Sequence, residues 1–466
     1  MKKHITKYQY IEYLKCPRSF AYALHATPNE ESGQNPIKVF LTTQGREVGL
    51  LAQDLYKGQF GINFEKEISH DDLFARFDIF DCQNNELIEM KSTTEVKKDQ
   101  LIDAAFQKYI CDKSGVKVDK VKIGHINKNY VLKDELNLKD LFIFEDVTSA
   151  VTPFFAEIEK DLPVIRKIII DGTLPEKKIG QHCMSGDGCP YRAECLGGAV
   201  NDTIFNLRRD IKGKKFELHQ SGVRFLKDIP EYVSLTKFQT IQKKAEALDC
   251  AVINYSDIIN ALQEVVYPTF FLDFEASVQA VPKYHMSSPF QQIPFQASVH
   301  RLKGSGLKLK HYSFLNTEDI DPRPALAKFL IETLEEYGSI VAYHASYEKS
   351  RIYELIKSAP QYEKELLALI DRIWDLEEIF SKGMYVHPNF MGSTSIKKIL
   401  PIFCPELSYD NLEINNGQLA FIQYLKMISS DTPKDQKEKI KNNLEAYCFQ
   451  DTYAMYAIFK KISELI

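Results

Sequence analysis

The sequence predicts an α/β protein with two separate domains. Chemically informative residues concentrate in two regions, before about residue 200 and after about residue 266. In each region, short apolar runs typical of strands alternate with segments of helical periodicity. A chain of 466 residues with 44% hydrophobic content is long enough for two or three domains. We therefore expect domains at residues 1–200 and 266–466, joined by a helical connector at residues 201–265.

The first region contains a predicted β-hairpin followed by a helix. Residues 73–82 form an alternating apolar run, residues 83–85 suit a turn, and residues 86–92 form a second strand. Residues 100–114 carry apolar side chains at helical spacing. The predicted order is therefore strand, strand, helix.

The second region alternates predicted strands and helices. Residues 269–275 and 338–343 are short apolar runs that suit buried strands. Residues 323–337, which lie between them, have helical periodicity. This alternation predicts an α/β domain.

The composition neither predicts nor excludes a nucleic-acid partner, and it argues against a membrane-spanning segment. The formal net charge is −5 and the pI is about 6.2, which excludes a uniformly basic coat but allows a local basic groove. The N-terminus lacks a signal-peptide core, and no window approaches the roughly 18 apolar residues of a membrane span. We expect a cytoplasmic protein, whose nine cysteines are considered first as metal ligands rather than disulfides.

The predicted hairpin carries two carboxylates and a lysine. Glu89 and Lys91 are two residues apart on a strand and share a face, and Asp78 can meet Glu89 across the hairpin. Two carboxylates supply hard oxygen ligands for Mg²⁺ or Mn²⁺, and a neighbouring lysine can orient water or offset charge in phosphodiester hydrolysis. A surface ion pair has the same spacing and is the structural alternative.

Three cysteines are regularly spaced near residue 190. Cys183, Cys189 and Cys195 form a C-x5-C-x5-C pattern, and Cys16 stands near the N-terminus in a Cys-Pro dipeptide. Four thiolates can hold Zn²⁺ or an iron–sulfur cluster, and ligand type alone does not separate the two. The spacing therefore predicts a site in which cysteines bind a metal, either Zn²⁺ or an iron–sulfur cluster.

The second region has carboxylates on an apolar strand and on a distant helix. Asp273 and Glu275 lie at i and i+2 of the strand, so both face one side. Two acids in an apolar strand favour metal binding, because buried unpaired charges are costly. Near the C-terminus, Tyr447 and Asp451 are one helical turn apart. A phenol beside a metal-bound carboxylate can orient a nucleophilic water.

The first region resembles the RecB-like branch of the PD-(D/E)XK nuclease superfamily. The resemblance rests on the segment YLKCPRSFAY at residues 13–22, on Asp78, on the E-M-K run with Glu89 and Lys91, and on Gln107. It covers about the first 200 residues. It implies that Asp78 and Glu89 are metal ligands, that Lys91 is the catalytic lysine, and that Gln107 positions water or the nucleic acid.

Two positions depart from this pattern. Many relatives supply an early histidine ligand, whereas this sequence has Gly49 at the comparable place. Glu47, Glu65 or Glu67 could replace that ligand, and each is equally well explained as a surface acid. Cys111 stands where the usual signature has a tyrosine.

The same resemblance bears on the cysteines. Iron–sulfur members of the RecB-like branch, which include CRISPR adaptation nucleases and AddAB-type recombination enzymes, close a cluster with one N-terminal and three C-terminal cysteines. This implies that Cys16, Cys183, Cys189 and Cys195 hold a [4Fe–4S] cluster, with Zn²⁺ as the alternative. Such a cluster would close a loop of about 170 residues and stabilise the domain by restricting the unfolded chain.

The D-x-E strand and the Y-x3-D helix resemble DnaQ-like, DEDD-type 3′–5′ exonucleases of the tyrosine subclass, which have an RNase H-like fold. The resemblance implies that Asp273, Glu275 and Asp451 help to bind two Mg²⁺ or Mn²⁺ ions and that Tyr447 orients water. It also implies a fourth carboxylate, for which Glu348 in the segment VAYHASYE is the best match.

The fourth carboxylate departs from the family in two ways. Relatives usually have aspartate near Glu348 and asparagine near His344. Asp375 is a second candidate, although a helix cap explains it better.

Together the two regions resemble a bacterial family that joins a RecB-like module to a DnaQ-like one. We expect a metal-dependent nuclease that hydrolyses phosphodiester bonds of DNA at two separate sites, and RNA stays open as a substrate. Lys397 and Lys398 are candidate backbone contacts or a solvated face. A partner protein, such as a helicase or a repair or defence protein, is suggested only by analogy with the family. The alternative is a nucleic-acid-binding or scaffold protein in which one or both nuclease-like sites are inactive.

Overall fold

The structure is a computed structural model, and it describes residues 4–25, 35–184, 188–197, 201–210 and 213–466. It is mixed α/β, as the sequence predicts. Its contacts divide the chain into two units. Unit 1 comprises Met1–Val200 and Gln279–Gln291, and unit 2 comprises Asn201–Val278 and Gln292–Ile466.

The regular elements of unit 1 lie in its first 196 residues. Its strands are β1 (Ile5–Thr6), β2 (Ile62–His70), β3 (Leu73–Asp81), β4 (Glu86–Lys91), β5 (Lys120–Ile126) and β6 (Phe142–Asp146). Its helices are α1 (Lys7–Lys15), α2 (Pro17–His25), α3 (Pro36–Tyr56), α4 (Lys98–Lys113), α5 (Leu138–Leu141), α6 (Thr148–Val151), α7 (Phe155–Asp171) and α8 (Arg192–Leu196).

The strands of unit 1 form one mixed sheet within the described residues. The order is β1-β3-β4-β5-β6, and β2 pairs with β3. Strands β3 and β4 form an antiparallel hairpin in which Ile79 faces Ile88. The predicted order of strand, strand and helix is confirmed by β3, β4 and α4.

Two helices bring polar side chains to this hairpin. Helix α4 packs against β3 and β4 through buried residues that include Ala104 and Phe106. Asp103 and Gln107, one turn apart on α4, are therefore buried with it. Helix α1 begins at Lys7, directly after Thr6, whose side chain accepts a hydrogen bond from the Gln9 backbone N–H in a capping box.

Unit 2 contains the remaining regular elements. Its strands are β7 (Val252–Ile253), β8 (Thr269–Val278), β9 (Gln292–Leu302), β10 (Lys310–Leu315), β11 (Ile340–Ala342), β12 (Ile373–Asp375) and β13 (Tyr385–Val386). Its helices are α9 (Lys214–Gln220), α10 (Lys237–Leu248), α11 (Tyr255–Gln263), α12 (Arg323–Thr333), α13 (Ser346–Ser358), α14 (Glu363–Asp371), α15 (Glu377–Ser381), α16 (Ile396–Phe403), α17 (Gly417–Ile428) and α18 (Lys434–Ser463).

The main sheet of unit 2 has the order β10-β9-β8-β11-β12. Strands β8, β9 and β10 are antiparallel neighbours, whereas β11 runs parallel to β8 and β12 runs parallel to β11. The strands predicted at residues 269–275 and 338–343 coincide with β8 and β11, and the helix predicted at residues 323–337 coincides with α12. Strand β8 is therefore the central strand of the sheet.

Helix α18 packs across β8 and β9. Its buried positions include Leu444, Tyr447, Cys448, Asp451 and Met455, at the spacing of one helix face. Tyr447 and Asp451 therefore point into the unit rather than into solvent.

The segment at residues 201–265 folds as α9, α10, β7 and α11 and is grouped with unit 2. Two glutamines of α10 are buried there, because their amides donate to backbone carbonyls. Gln239 donates to the Arg208 carbonyl at 2.7 Å, and Gln242 donates to the Asn206 carbonyl at 2.8 Å. Among all helices in the described ranges, none combines the length and the apolar character that crossing a bilayer requires.

Candidate functional site

The hairpin of unit 1 brings together the three residues that the sequence singled out there. The Asp78 carboxylate accepts a hydrogen bond from the Met90 backbone N–H at 2.7 Å, which fixes it beside β4. Lys91 Nζ lies 2.8 Å from Glu89 Oε1. We call these side chains, with the partners of Glu89 described next, the hairpin site.

Glu89 is the centre of the hairpin site and is only 2% exposed. Its Oε1 atom accepts from Lys91 and also from Lys7, whose Nζ is 2.5 Å away. Its Oε2 atom accepts from the Gln107 amide at 2.8 Å. Gln107 also donates to Asp103 at 3.0 Å, and Lys91 makes a close ion pair with Asp103. The predicted Gln107 therefore lies at the site.

Burial and neighbouring charges together set the pKa values of the hairpin site. Burial alone would raise the pKa of Glu89, but Lys7 and Lys91 outweigh burial and hold this pKa below its usual range. The pKa of Asp78 is raised to about 7, chiefly by burial and then by Glu89, against the opposing effect of Lys7. Burial would lower the pKa of Lys91, but Glu89 and Asp103 outweigh it and raise that pKa.

Sequence reasoning missed Lys7 and Asp103. Asp103 stands four residues before Gln107 on α4, so helical spacing could have found it. Lys7 is 82 positions from Glu89 in the chain, and no local pattern around it indicates the contact. Its position follows from the way that α1 packs on α4.

A cavity of about 690 Å³ opens onto Asp78, Glu89 and Lys91. Helix α3 lines one side of it with Gly49, where a Cβ atom would meet nothing within 4 Å. Of the three glutamates considered as replacement ligands, Glu65 lines this cavity, and its carboxylate is held by Arg76 at 2.9 Å. The cavity gives the hairpin site access to solvent.

The four predicted cysteine ligands lie close to one another. Burial raises the pKa of the Cys195 thiol, and after the opposing effect of Arg18 the thiols of Cys183, Cys189 and Cys16 raise it further. Within the described residues these four sulfurs contribute no group of three within 4.8 Å of one another. A tetrahedral zinc site, with Zn–S bonds of about 2.3 Å, would require sulfurs about 3.8 Å apart.

The second site lies where β8 and α18 meet, and we call it the β8–α18 site. Asp273 and Glu275 on β8 and Asp451 on α18 each offer a carboxylate oxygen, and these three oxygens lie within 4.8 Å of one another. Over the parts of the chain that the structure describes, no other group of three ligand side chains is this close. The D-x-E strand and the Y-x3-D helix, which the sequence resemblance assigned to one site, thus lie side by side.

Burial raises the pKa values of the acids of the β8–α18 site, and neighbouring carboxylates raise those of Asp273 and Glu275 further. Burial is the main cause for Asp273, followed by Asp451, Glu275 and Glu348, and the pKa of Asp273 is well above its usual range. The pKa of Asp451 is raised to about 6 by burial, although the hydrogen bond from Tyr409, the charge of Lys397 and the neighbouring Tyr447 phenol lower it. Such a cluster binds protons or cations.

Glu348 approaches the site from α13. It is 1% exposed, and its Oε2 atom has no hydrogen-bond partner among the described residues. Burial raises the pKa of Glu348 to about 8. Asp375, the second candidate, instead accepts from the backbone N–H groups of His344, Ala345 and Glu377, each at 3.0 Å. Asp375 thus bonds to backbone N–H groups at the starts of α13 and α15, although Leu376 rather than Asp375 holds the N-cap position of α15.

Two tyrosines and a lysine complete the β8–α18 site. The Tyr409 hydroxyl donates to Asp451 Oδ1 at 2.7 Å, and the Tyr447 phenol lies close enough to Asp451 to lower the pKa of that carboxyl. Lys397 Nζ lies 5.1 Å from the Tyr409 ring centroid and 5.3 Å from the Tyr447 ring centroid. Sequence reasoning missed Tyr409, which lies outside regular helices and strands and carries no motif.

Comparison with known proteins finds relatives for part of the chain. The family described as "Domain of unknown function (DUF2779)" matches residues 270–395, a stretch that contains Asp273, Glu275 and Glu348. The chain is 28% identical over 234 residues to "Uncharacterized protein UU173" of Ureaplasma parvum, which covers 46% of this chain and 34% of that protein. It is 26% identical over 216 residues to "Uncharacterized protein MG366" of Mycoplasma genitalium, with 42% and 32% covered.

A homologue of MG366 in Mycoplasma pneumoniae is 28% identical over 214 residues, which are 42% of this chain and 32% of that protein. The chain thus spans about a third of the length of these curated relatives. No solved structure matches the chain.

Proposed function

We propose that the chain is a metal-dependent nuclease acting on DNA, with a DnaQ-like 3′–5′ exonuclease in unit 2 and a RecB-like PD-(D/E)XK nuclease domain in unit 1. One observation carries the proposal: carboxylate oxygens of Asp273, Glu275 and Asp451 lie within 4.8 Å of one another. Acids crowded in this way repel one another unless protons or cations neutralise them. At neutral pH a divalent cation is the natural partner.

The donor set of the β8–α18 site fits Mg²⁺ or Mn²⁺, because both ions prefer carboxylate oxygens. Asp273, Glu275 and Asp451 would hold the metal, and Glu348 supplies a further buried oxygen without a hydrogen-bond partner in the described chain. When bound, divalent ions polarise the phosphodiester and lower the pKa of the attacking water.

The neighbouring side chains supply the rest of the chemistry. The Tyr447 hydroxyl, beside Asp451, orients the attacking water. The Tyr409 hydroxyl holds the Asp451 carboxylate in place at 2.7 Å. Lys397, held over both tyrosine rings, offers positive charge to a phosphate oxygen of the substrate.

The proposed fold types have support in both units. In unit 2 the D-x-E acids lie on the central strand β8, which has antiparallel strands on one side and parallel strands on the other. In unit 1 the E-x-K residues lie on a hairpin strand, and the glutamine of the next helix bonds to the hairpin glutamate. These are the relations that an RNase H-like exonuclease and a PD-(D/E)XK core require.

We further propose that Cys16, Cys183, Cys189 and Cys195 hold a [4Fe–4S] cluster. The thiols of Cys16 and Cys189 are close enough to raise the pKa values of both Cys183 and Cys195, yet no three of these four described sulfurs fall within 4.8 Å of one another. That spacing is wider than a single tetrahedral zinc ion requires, and it favours a larger cluster. The cluster would tie α2 to the segment around α8.

Digestion of labelled single strands tests the proposal. The full chain with Mg²⁺ or Mn²⁺ should shorten 5′-labelled single-stranded DNA stepwise from its 3′ end, and an RNA of the same sequence tests the substrate class. Asp273→Asn should slow the reaction at least about 100-fold. Asp371→Asn, at an exposed position at the end of α14, is the matched control and should act like the parent.

Two results would count against the nuclease. An Asp273→Asn protein as active as the parent would show that the acids of the β8–α18 site are structural. A parent chain that binds single-stranded DNA but never shortens it would favour the nucleic-acid-binding alternative.

A further inference from the structure

Lys7 makes the closest contact to the glutamate of the hairpin site. Its Nζ lies 2.5 Å from Glu89 Oε1 and 3.5 Å from Asp103 Oδ1. The Lys7 side chain is 28% exposed, so the ammonium is partly withdrawn from water into the site. Lys7 lies outside the D…E-x-K pattern, and nothing in the proposed hydrolysis requires a second lysine at Glu89.

The contacts of Glu89 leave little room for a divalent cation. Oε1 accepts from two ammonium groups, those of Lys7 and Lys91, and Oε2 accepts from the Gln107 amide. An Mg²⁺ ion needs a carboxylate oxygen with a lone pair directed at it. It would also repel an ammonium held on the same oxygen. At Glu89 Oε1, therefore, the site as it stands does not fit a divalent ion.

The charges of the site point the same way. The carboxylates of Asp78, Glu89 and Asp103 face the ammonium groups of Lys7 and Lys91. A nuclease centre that uses a single lysine would keep an excess of negative charge for the metal. Here Lys7 lowers that excess from two negative charges to one.

Helix α3 provides a second, independent observation. Gly49 lines the cavity over Asp78 and Glu89, and the space in front of its Cα is open to at least 4 Å. At this position α3 therefore contributes no side-chain donor that would draw a metal toward Asp78 and away from Lys7. The Lys7 ammonium therefore has no competing ligand from position 49.

We infer that the Lys7 ammonium occupies the cation position of the hairpin site, so that Mg²⁺ or Mn²⁺ binds at Asp78 and Glu89 only when Lys7 leaves Glu89. The inference rests on the metal binding proposed for this site. Lys7 and the divalent ion are then competitors for Glu89 Oε1. Metal affinity at the hairpin site is set by the residue at position 7 as well as by the carboxylates.

Mn²⁺ binding to the full chain tests this competition. Glu275→Gln with Asp451→Asn removes the β8–α18 site in every protein compared, and free Mn²⁺ is followed by electron paramagnetic resonance. Lys7→Met keeps the length of the side chain and removes its charge. It should tighten Mn²⁺ binding at least about tenfold, equivalent to about 1.4 kcal/mol. Adding Glu89→Gln should abolish the gain, which assigns it to the hairpin site.

Lys15→Met is the matched control, because Lys15 is on the same helix, is 66% exposed and pairs with Glu12. It should leave Mn²⁺ binding unchanged. If Lys7→Met binds Mn²⁺ within twofold of a parent that itself binds the ion, the competition is refuted while the metal site stands. If neither protein binds Mn²⁺, the metal site of unit 1 is refuted and the inference falls with it.

A measurement on the unmutated chain covers the case in which Lys7→Met does not fold. Lysines labelled with ¹³C at Cε give one resonance each, and Lys7→Arg identifies the signal of Lys7. Saturation with Mg²⁺ should shift the Lys7 resonance toward that of a solvated lysine, whereas the Lys15 resonance should not move. An unchanged Lys7 signal in Mg²⁺-loaded protein overturns the inference.

Discussion

Replacement of Glu348 by glutamine should stabilise the metal-free chain while it destroys exonuclease activity. The Glu348 carboxyl is 1% exposed, and burial raises its pKa from 4.5 to about 8. At pH 7 the folded chain therefore keeps a proton that the unfolded chain has released. This linkage lowers the free energy of unfolding by about 3 kcal/mol.

The net gain from Glu348→Gln should be smaller than this linkage. Glutamine has the shape of glutamate but does not titrate, so the linkage disappears. Its amide would still be a buried polar group without a partner among the described residues, which costs about 1 kcal/mol. A net gain of about 2 kcal/mol corresponds to a rise in Tm of about 4–8 °C for a unit of this size.

Differential scanning calorimetry in EDTA measures this gain. A carboxyl whose folded pKa is raised destabilises the fold increasingly as the pH rises from the unfolded pKa to the folded one. The advantage of Glu348→Gln should therefore be absent near pH 4 and largest at about pH 8 and above. Glu336→Gln, at an exposed position of unit 2, should change Tm little at any pH.

Mg²⁺ should reverse the ranking. The parent gains stability from an ion that binds only the folded chain, and the variant, which has lost a carboxylate near the ion, gains less. A Glu348→Gln protein that melts below the parent in EDTA at pH 7 would refute the argument. An advantage as large at pH 4 as at pH 8 would do the same.

Four further predictions concern the two sites and the cysteines. Tyr447→Phe should lower kcat about 100-fold and keep Mn²⁺ affinity in titrations; a parallel loss of affinity would make Tyr447 structural. Lys91→Ala should spare 3′–5′ digestion, because the sites lie in separate units and share no ligands; loss of digestion contradicts separate sites. Lys397→Met should raise KM for single-stranded DNA more than Lys398→Met, at an exposed neighbour; equal values would show a merely solvated face. Anaerobically purified protein should be brown with about four irons and Cys195→Ser should lower Tm; colourless protein with stoichiometric zinc contradicts the cluster.

The parts of the sites that could be predicted are those fixed by local geometry. A strand has a period of two, so Glu89 and Lys91 had to share a face, and the same argument applies to Asp273 and Glu275. One helical turn separates Tyr447 from Asp451. Strand order and the pairing of β8 with α18 were accessible only through motif resemblance, because they depend on contacts between distant segments.

The residues that escaped prediction reach their sites through tertiary packing. Lys7 is brought to Glu89 by the packing of α1 on α4. The capping motif at the start of α1 predicts a helix but does not show which distant residue Lys7 will contact. Tyr409 lies in an irregular segment between α16 and α17, where periodicity offers no guide. Lys397 could be noted as a cation, but its distance from the acids could not be known from the sequence.

Gly49 affects which substitutions unit 1 can accept during evolution. A side chain added at this position grows into the cavity and meets no atom within 4 Å of its Cβ. Because glycine is a poor helix former, its replacement inside α3 should strengthen the helix by up to about 1 kcal/mol. Selection can therefore introduce histidine or aspartate here, and with it a new metal donor, at no expense to folding. Under the proposed metal binding, one substitution at position 49 would therefore change the cation preference of the hairpin site without changing the fold.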